Sequence, residues 1–143
     1  MNDSNKHKIL IVDDDELNLE IMEEILSDDY DLIKACNGVE AIEQFKTNNP
    51  VLILLDIMMP EMNGYETCDM IKEICVETCS FTPHIIMVSA KASLEERVRG
   101  YESGTDDYII KPFDEEELLA KVRVHIRQHE ESLNNFKWAK SSL

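Results

Sequence analysis

A chain of 143 residues has the length of one domain with a full hydrophobic core and no spare length for a second. Its 30 acidic residues against 14 basic ones, a formal charge of -16, exclude direct neutralisation of nucleic-acid phosphates and unaided binding to an anionic membrane. Residues 1–7 are a short polar lead rather than a signal peptide and no apolar run is long enough to span a bilayer, so the chain is expected to be cytoplasmic, with proteins or cations as partners.

Taken in order, Lys8 to Val12 is a strand whose run Ile9-Leu10-Ile11-Val12 stops on Asp13-Asp14-Asp15. From Glu16 the period turns helical: Leu17, Ile21 and Ile25, with Met22 and Leu26 beside them, are expected inward, and Glu20, Glu23 and Glu24 outward. Tyr30 to Ala35 is a short second strand. Asn37-Gly38 then signals a turn into a helix with Val39, Ile42 and Phe45 inward. The third strand, Val51 to Leu55, shows no polar alternation, as expected of a strand covered on both faces, and ends on Asp56. Pro60 and Met62-Asn63-Gly64 make a loop that overhangs Asp56, and a third helix starts near Tyr65 with Cys68, Ile71, Ile74 and Cys75 on its apolar face. Ile85 to Val88 is the fourth strand and leads to Ser89-Ala90-Lys91. A fourth helix from about Ser93 is expected to bury Leu94, Val98 and Tyr101, with Gly104 at its C-terminal cap. Asp107 to Ile110 is the fifth strand, ending at Lys111-Pro112. Phe113, Leu118, Leu119, Val122 and Ile126 give the last amphipathic helix.

Strict alternation of strand and helix with short connections calls for an α/β domain, a parallel sheet covered on both faces. In such sheets ligands bind at the carboxyl edge of the strands. Collected there are Asp13, Asp14 and Asp15, then Asp56, Ser89 and Lys111. Carboxylates crowded in one crevice repel each other unless a divalent cation lies among them, and hard oxygen ligands suit Mg²⁺. A cation on one side and Lys111 on the other would neutralise a phosphoryl group arriving at Asp56, since carboxylates form aspartyl-phosphates; Ser89 could donate to a phosphoryl oxygen.

The set Val12-Asp13-Asp14, Leu55-Asp56-Ile57-Met58-Met59-Pro60-Glu61-Met62-Asn63-Gly64, Ser89-Ala90 and Gly104-Thr105-Asp106-Asp107-Tyr108-Ile109-Ile110-Lys111-Pro112-Phe113 resembles the response-regulator receiver domain of two-component signalling, from Lys8 to about Arg127. The resemblance implies a doubly wound, flavodoxin-like sheet of order 2-1-3-4-5 and a cis Lys111–Pro112 bond. It implies that Asp56 is the phosphoacceptor, and that Asp13 and Asp14 hold Mg²⁺ or Mn²⁺ together with Asp56 and the backbone carbonyl of Met58. Ser89 would be the switch hydroxyl, Lys111 the phosphate-facing cation, and Tyr108 the aromatic that moves inward on phosphorylation. The donor would be a sensor histidine kinase or a phosphotransfer protein. Met58 and Lys91, two places beyond Asp56 and Ser89, would flank the path of a hydrolytic water and set the lifetime of the phosphoryl group. The face of the fourth helix, fifth strand and last helix, carrying Arg97, Arg99, Asp107, Lys121 and Arg123, suits a homodimer on phosphorylation. Ser89 and Thr105 depart slightly from the family pattern, where threonine and alanine are commoner.

This divides the chain into a lead (1–7), the receiver (8–127) and a helix extension or linker (128–143). The tail hints at an output domain; a stand-alone phosphocarrier or docking module is the alternative. A haloacid-dehalogenase-like phosphatase would need a second acid where Met58 stands, and an FMN carrier would need Gly, Ser and Thr where Asp13-Asp14-Asp15 stand. Cys36, Cys68, Cys75 and Cys79 lack the spacing of a zinc site and are expected as thiols, with Cys68 and Cys75 packed on one helix face. His125 and His129 are expected as surface histidines near a helix end. Val76 to Thr82 belongs to no motif.

Overall fold

Apolar strands without polar alternation must be covered on both sides, and the fold covers them. The computed structural model describes residues 6–78, 80–90, 98, 102 and 104–141, with 136–141 as backbone alone. Strands β1 (Lys8–Val12), β2 (Asp31–Ala35), β3 (Leu52–Asp56), β4 (His84–Ser89) and β5 (Asp107–Ile110) form one parallel sheet in the order β2-β1-β3-β4-β5. The described helices are α1 (Glu16–Leu26), α2 (Gly38–Asn48), α3 (Gly64–Thr78) and the C-terminal α4 (Glu115–Ser141). The helix expected from about Ser93, with Leu94 and Tyr101, lies outside the described residues, as do Cys79, Lys91, Arg97 and Arg99.

Successive strand residues enter opposite cores. Leu10, Val12, Ile53, Leu55, Ile85 and Met87 meet Ala41, Ile42 and Phe45 of α2 and Cys68, Ile71 and Cys75 of α3. Ile9, Ile11, Leu52, Leu54, Ile86 and Val88 meet Leu19, Met22 and Leu26 of α1 and Leu118, Val122 and Ile126 of α4. Each such Leu, Ile or Met contributes about 1.5–3 kcal/mol relative to an exposed side chain. Cys68 and Cys75 pack as the spacing predicts.

Four inward assignments are corrected. In α1 the buried stripe is Leu19, Met22 and Leu26, whereas Leu17 is 60 % exposed and Ile21 also faces solvent. Apolar residues occupy more than one face of this helix, so periodicity leaves its rotation open; the Asp15 cap, whose carboxylate accepts from the Leu17 amide at 3.0 Å, sets where the helix begins. In α2, Ala41, Ile42 and Phe45 are buried and Val39 is exposed, because the Asn37 cap starts the helix at Gly38 and turns Val39 off the sheet. Val98 is 47 % exposed rather than buried; its crossover leads to β5, the edge strand, where the sheet has no further neighbour. Past Arg127 the backbone continues α4 as far as Ser141.

Candidate functional site

Register brings the strand ends together. Val12 pairs with Leu55, Asp56 with Val88, and Ser89 with Ile110, so Asp13, Asp56, Ser89 and Lys111 emerge side by side at the carboxyl edge. Ligand oxygens of Asp13, Asp14 and Asp56 lie within 4.8 Å of one another. Asp13 is 1 % exposed and Asp56 3 %, while Asp14 faces solvent. The third acid, Asp15, points away from this group to cap α1.

Among the described residues Lys111 is the cation of the cluster. Its Nζ donates to Asp13 Oδ2 at 2.7 Å and stands 3.5 Å from Asp56 Oδ1. Asp13 Oδ1 accepts from the Asp15 amide at 2.9 Å, and Asp56 Oδ1 from the Met58 amide at 3.3 Å. One ammonium does not balance three carboxylates. Burial and the neighbouring charge of Asp13 push the Asp56 carboxyl up to about 7, against the opposing pull of Lys111 and the Met58 amide. Burial works against the Lys111 ammonium, but its bond to Asp13 and the charge of Asp56 outweigh burial and raise its pKa. Two buried carboxylates and an exposed third, short of positive charge, fit a hard divalent cation. The cis Lys111–Pro112 bond lies directly after β5, where the Lys111 amide donates to the Ser89 carbonyl at 2.7 Å.

The loop after β3 is pinned rather than loose. Ile57 and Met59 are buried, and the Gly64 amide closes the loop on the Ile57 carbonyl at 2.9 Å. A Cβ at Gly64 would collide with the Asp56 carbonyl oxygen, so glycine is required for this approach. Asn63 Oδ1 accepts from the Glu66 amide at 2.9 Å while Glu66 Oε1 accepts from the Asn63 amide at 3.0 Å, a reciprocal cap that starts α3. Met58 points outward, 72 % exposed, at the rim.

The family model of the response regulator receiver domain matches residues 9–123. This chain belongs to that family. Among curated proteins the receiver is 41 % identical over 129 residues to the transcriptional regulatory protein ResD of Bacillus subtilis (strain 168), covering 90 % of this chain and 51 % of ResD. It is 39 % identical over 122 residues to the response regulator ArlR of Staphylococcus saprophyticus, covering 85 % of this chain and 53 % of ArlR. The chain thus spans about half the length of the curated relatives it matches. A CheY-like receiver domain protein from Methanospirillum hungatei JF-1 has a solved structure that superimposes with a TM-score of 0.81 at 30 % identity, covering 90 % of this chain and 99 % of that one.

In this receiver Ser89 is fully buried at the end of β4. Tyr108 is buried, and its hydroxyl lies 3.3 Å from that of Tyr65. Lys91, the second expected gatekeeper, falls outside the described residues. Asp107 and Lys121 of the expected dimer face are paired with each other at 3.2 Å, and Arg123 is exposed. Sequence reasoning missed the Tyr65 partner and the Asn63–Glu66 cap; the latter was visible as Asn-x-x-Glu ahead of an apolar helix. It also misplaced His125, which is buried beneath β4 and β5 because Asp107 and His84 satisfy its ring. No described helix is long and apolar enough to cross a membrane.

Proposed function

We propose that the receiver accepts a phosphoryl group on Asp56 from the phosphohistidine of a sensor kinase or phosphotransfer protein. The observation that carries this reading is the buried Asp56 carboxylate at the end of β3, with Lys111 3.5 Å away and its basicity raised toward neutrality. An Asp56 oxygen forms the new O–P bond as the P–N bond to the donor imidazole breaks, and the phosphoryl group brings negative charge into a site already short of cations. Asp13, Asp14, Asp56 and the Met58 carbonyl would hold Mg²⁺ or Mn²⁺. When bound, that ion supplies the positive charge the phosphoryl oxygens require. Lys111, now shared with Asp13, is placed to reach one phosphoryl oxygen, and Ser89 to donate to another. The chain assists its own modification and turns over no external substrate.

Ser89 and Tyr108 form the switch. With buried Tyr108 held at the Tyr65 hydroxyl, phosphorylation would act by selecting that position, drawing Ser89 inward and repacking β5 and α4. That face would then pair with a second copy or a partner. Relatives about twice as long include proteins named as transcriptional regulators, ResD among them. We therefore place nucleic-acid contact in an output domain and not in this acidic, cytoplasmic chain. Met58 lacks a hydrogen bond to orient a hydrolytic water and Lys91 is long enough to cover the phosphoryl group, so the modified state is long-lived.

Incubation with a small phosphodonor and Mg²⁺ should add one phosphate by intact mass, lost in Asp56→Asn, and light scattering of the same sample should show a dimer. Undiminished labelling of Asp56→Asn would remove the phosphoacceptor assignment, and an unchanged monomer at full labelling would remove the dimer.

A further inference from the structure

At the opposite, amino edge of the sheet the first residues of β4 and β5 meet α4 in a polar cluster that the phosphoryl chemistry does not use. His84 Nδ1 and His125 Nδ1 lie 3.0 Å apart. His125 is 6 % exposed, and its Nε2 faces Asp107 Oδ2 at 3.2 Å. The other Asp107 oxygen accepts from Lys121 at 3.2 Å, and Lys121 also donates to the Tyr108 carbonyl. The remaining charged or titratable neighbours of His84 are Asp106 at the entry to β5, Lys72 of α3, and His129 one turn further along α4. Asp106 is itself engaged, its Oδ2 accepting from the Ile85 amide at 2.7 Å.

Tautomers follow from these partners. A carboxylate only accepts, so His125 Nε2 carries a hydrogen. Between the two Nδ1 atoms there is room for one hydrogen and not for two. With both rings neutral, His84 Nδ1–H donates to His125; with one ring cationic, that ring donates to the other. Protonation of both places two N–H groups head to head at hydrogen-bond distance and adds like-charge repulsion in a buried position.

We propose that the His84–His125 pair is an acid-released latch: one shared hydrogen fastens α4 to the start of β4, and entry of a second proton opens it. Opening loosens α4 and, through Asp107 and Lys121, the backbone at Tyr108. The sign is set by His84, which burial holds below the ordinary histidine value of 6.5, with His125 and His129 adding to the effect and Asp106 opposing it. A folded-state pKa below the unfolded one means that the contribution is complete above that value and is lost as pH falls through the folded pKa.

Amide hydrogen exchange, corrected for intrinsic rates, tests the latch at about pH 7.5 and about pH 5.5. In the wild-type chain, β5 and the Lys121–His129 stretch of α4 should open at least about threefold more often at the lower pH, relative to β1. His84→Asn should abolish that pH dependence, because its amide places both a donor and an acceptor where Nδ1 stood and so satisfies either form of His125. Both proteins keep Asp56, so its own titration cancels in the comparison. Equal loosening in the two proteins, or none in the wild type, overturns the latch. Ring resonances of His84 in the unaltered chain give a second reading: protonation below the ordinary histidine value is expected, and titration at that value refutes the shared hydrogen.

Discussion

The two edges of this sheet solve the same problem in opposite ways. At the amino edge the buried His125 and its half-buried neighbours are matched: His84 to His125, His125 to Asp107, Asp107 to Lys121. Its effect on Asp107 shows the balance, since burial raises that carboxyl but the Tyr108 amide, His125 and Lys121 together bring it below the usual carboxylate range. At the carboxyl edge Asp13, Asp14 and Asp56 converge, with Lys111 the one ammonium among the described residues to pair with Asp13 and Asp56, and Asp56 is left close to neutrality in its proton affinity. One edge holds the fold together, whereas the other keeps an unmet demand for positive charge that a cation and a phosphoryl group can answer. Sites of this kind trade stability for function.

Removing the cation should expose the difference most strongly. Lys111→Ala should destabilise the fold by about 3 kcal/mol in urea titrations without divalent ions, since it leaves Asp13 and Asp56 unpaired. Added Mg²⁺ should restore part of that loss; no recovery would mean that the ion does not bind among the acids. At the amino edge His125→Ala should cost about 2 kcal/mol by leaving Asp107 and His84 short of a partner, and Mg²⁺ should not change that cost. Asp56→Asn should act in the reverse direction. The folded Asp56 pKa is raised to about 7, so the native state binds the extra proton and wild-type stability declines as pH rises from about 4 to about 7. The asparagine variant should escape that decline and be more stable at about pH 8 by about 2 kcal/mol, roughly half of what the shift alone represents because Lys111 already offsets part of the charge. A variant no more stable than wild type across that range would show the two edges to be equally balanced. The smallest effect concerns the rim: Met58→Asn combined with Lys91→Gln should speed loss of the phosphoryl group about tenfold, a barrier change of about 1.4 kcal/mol, with equal or slower decay assigning the lifetime elsewhere.

Every strand and helix among the described residues was legible as a run or a period, because a buried parallel strand has to be apolar throughout and an acid at its end stands out. Asp13, Asp56, Ser89 and Lys111 were legible for the same reason: each is the first polar residue after an apolar run, and parallel register delivers all of them to one edge. Rotation of α1 was legible only in part: Met22 and Leu26 were read inward and are buried, and Ile25 packs partly on the same core, whereas docking against the sheet turns Leu17 and Ile21 to solvent and buries Leu19 instead. His125 was read as a surface histidine because its partners come from positions far along the chain, His84 and Asp107.

By itself, then, the sequence determined the strand and helix order, the polar residues at the carboxyl edge and the likeness to receivers, all of which depend on local pattern and spacing. Tertiary structure alone decided how far Asp56 is under-neutralised, that Tyr108 rests against Tyr65, and that the His84 and His125 rings meet at hydrogen-bond distance. Those depend on distances between elements remote in sequence, and on burial, which turns a separation of about 3 Å into a shifted pKa or a tautomer choice.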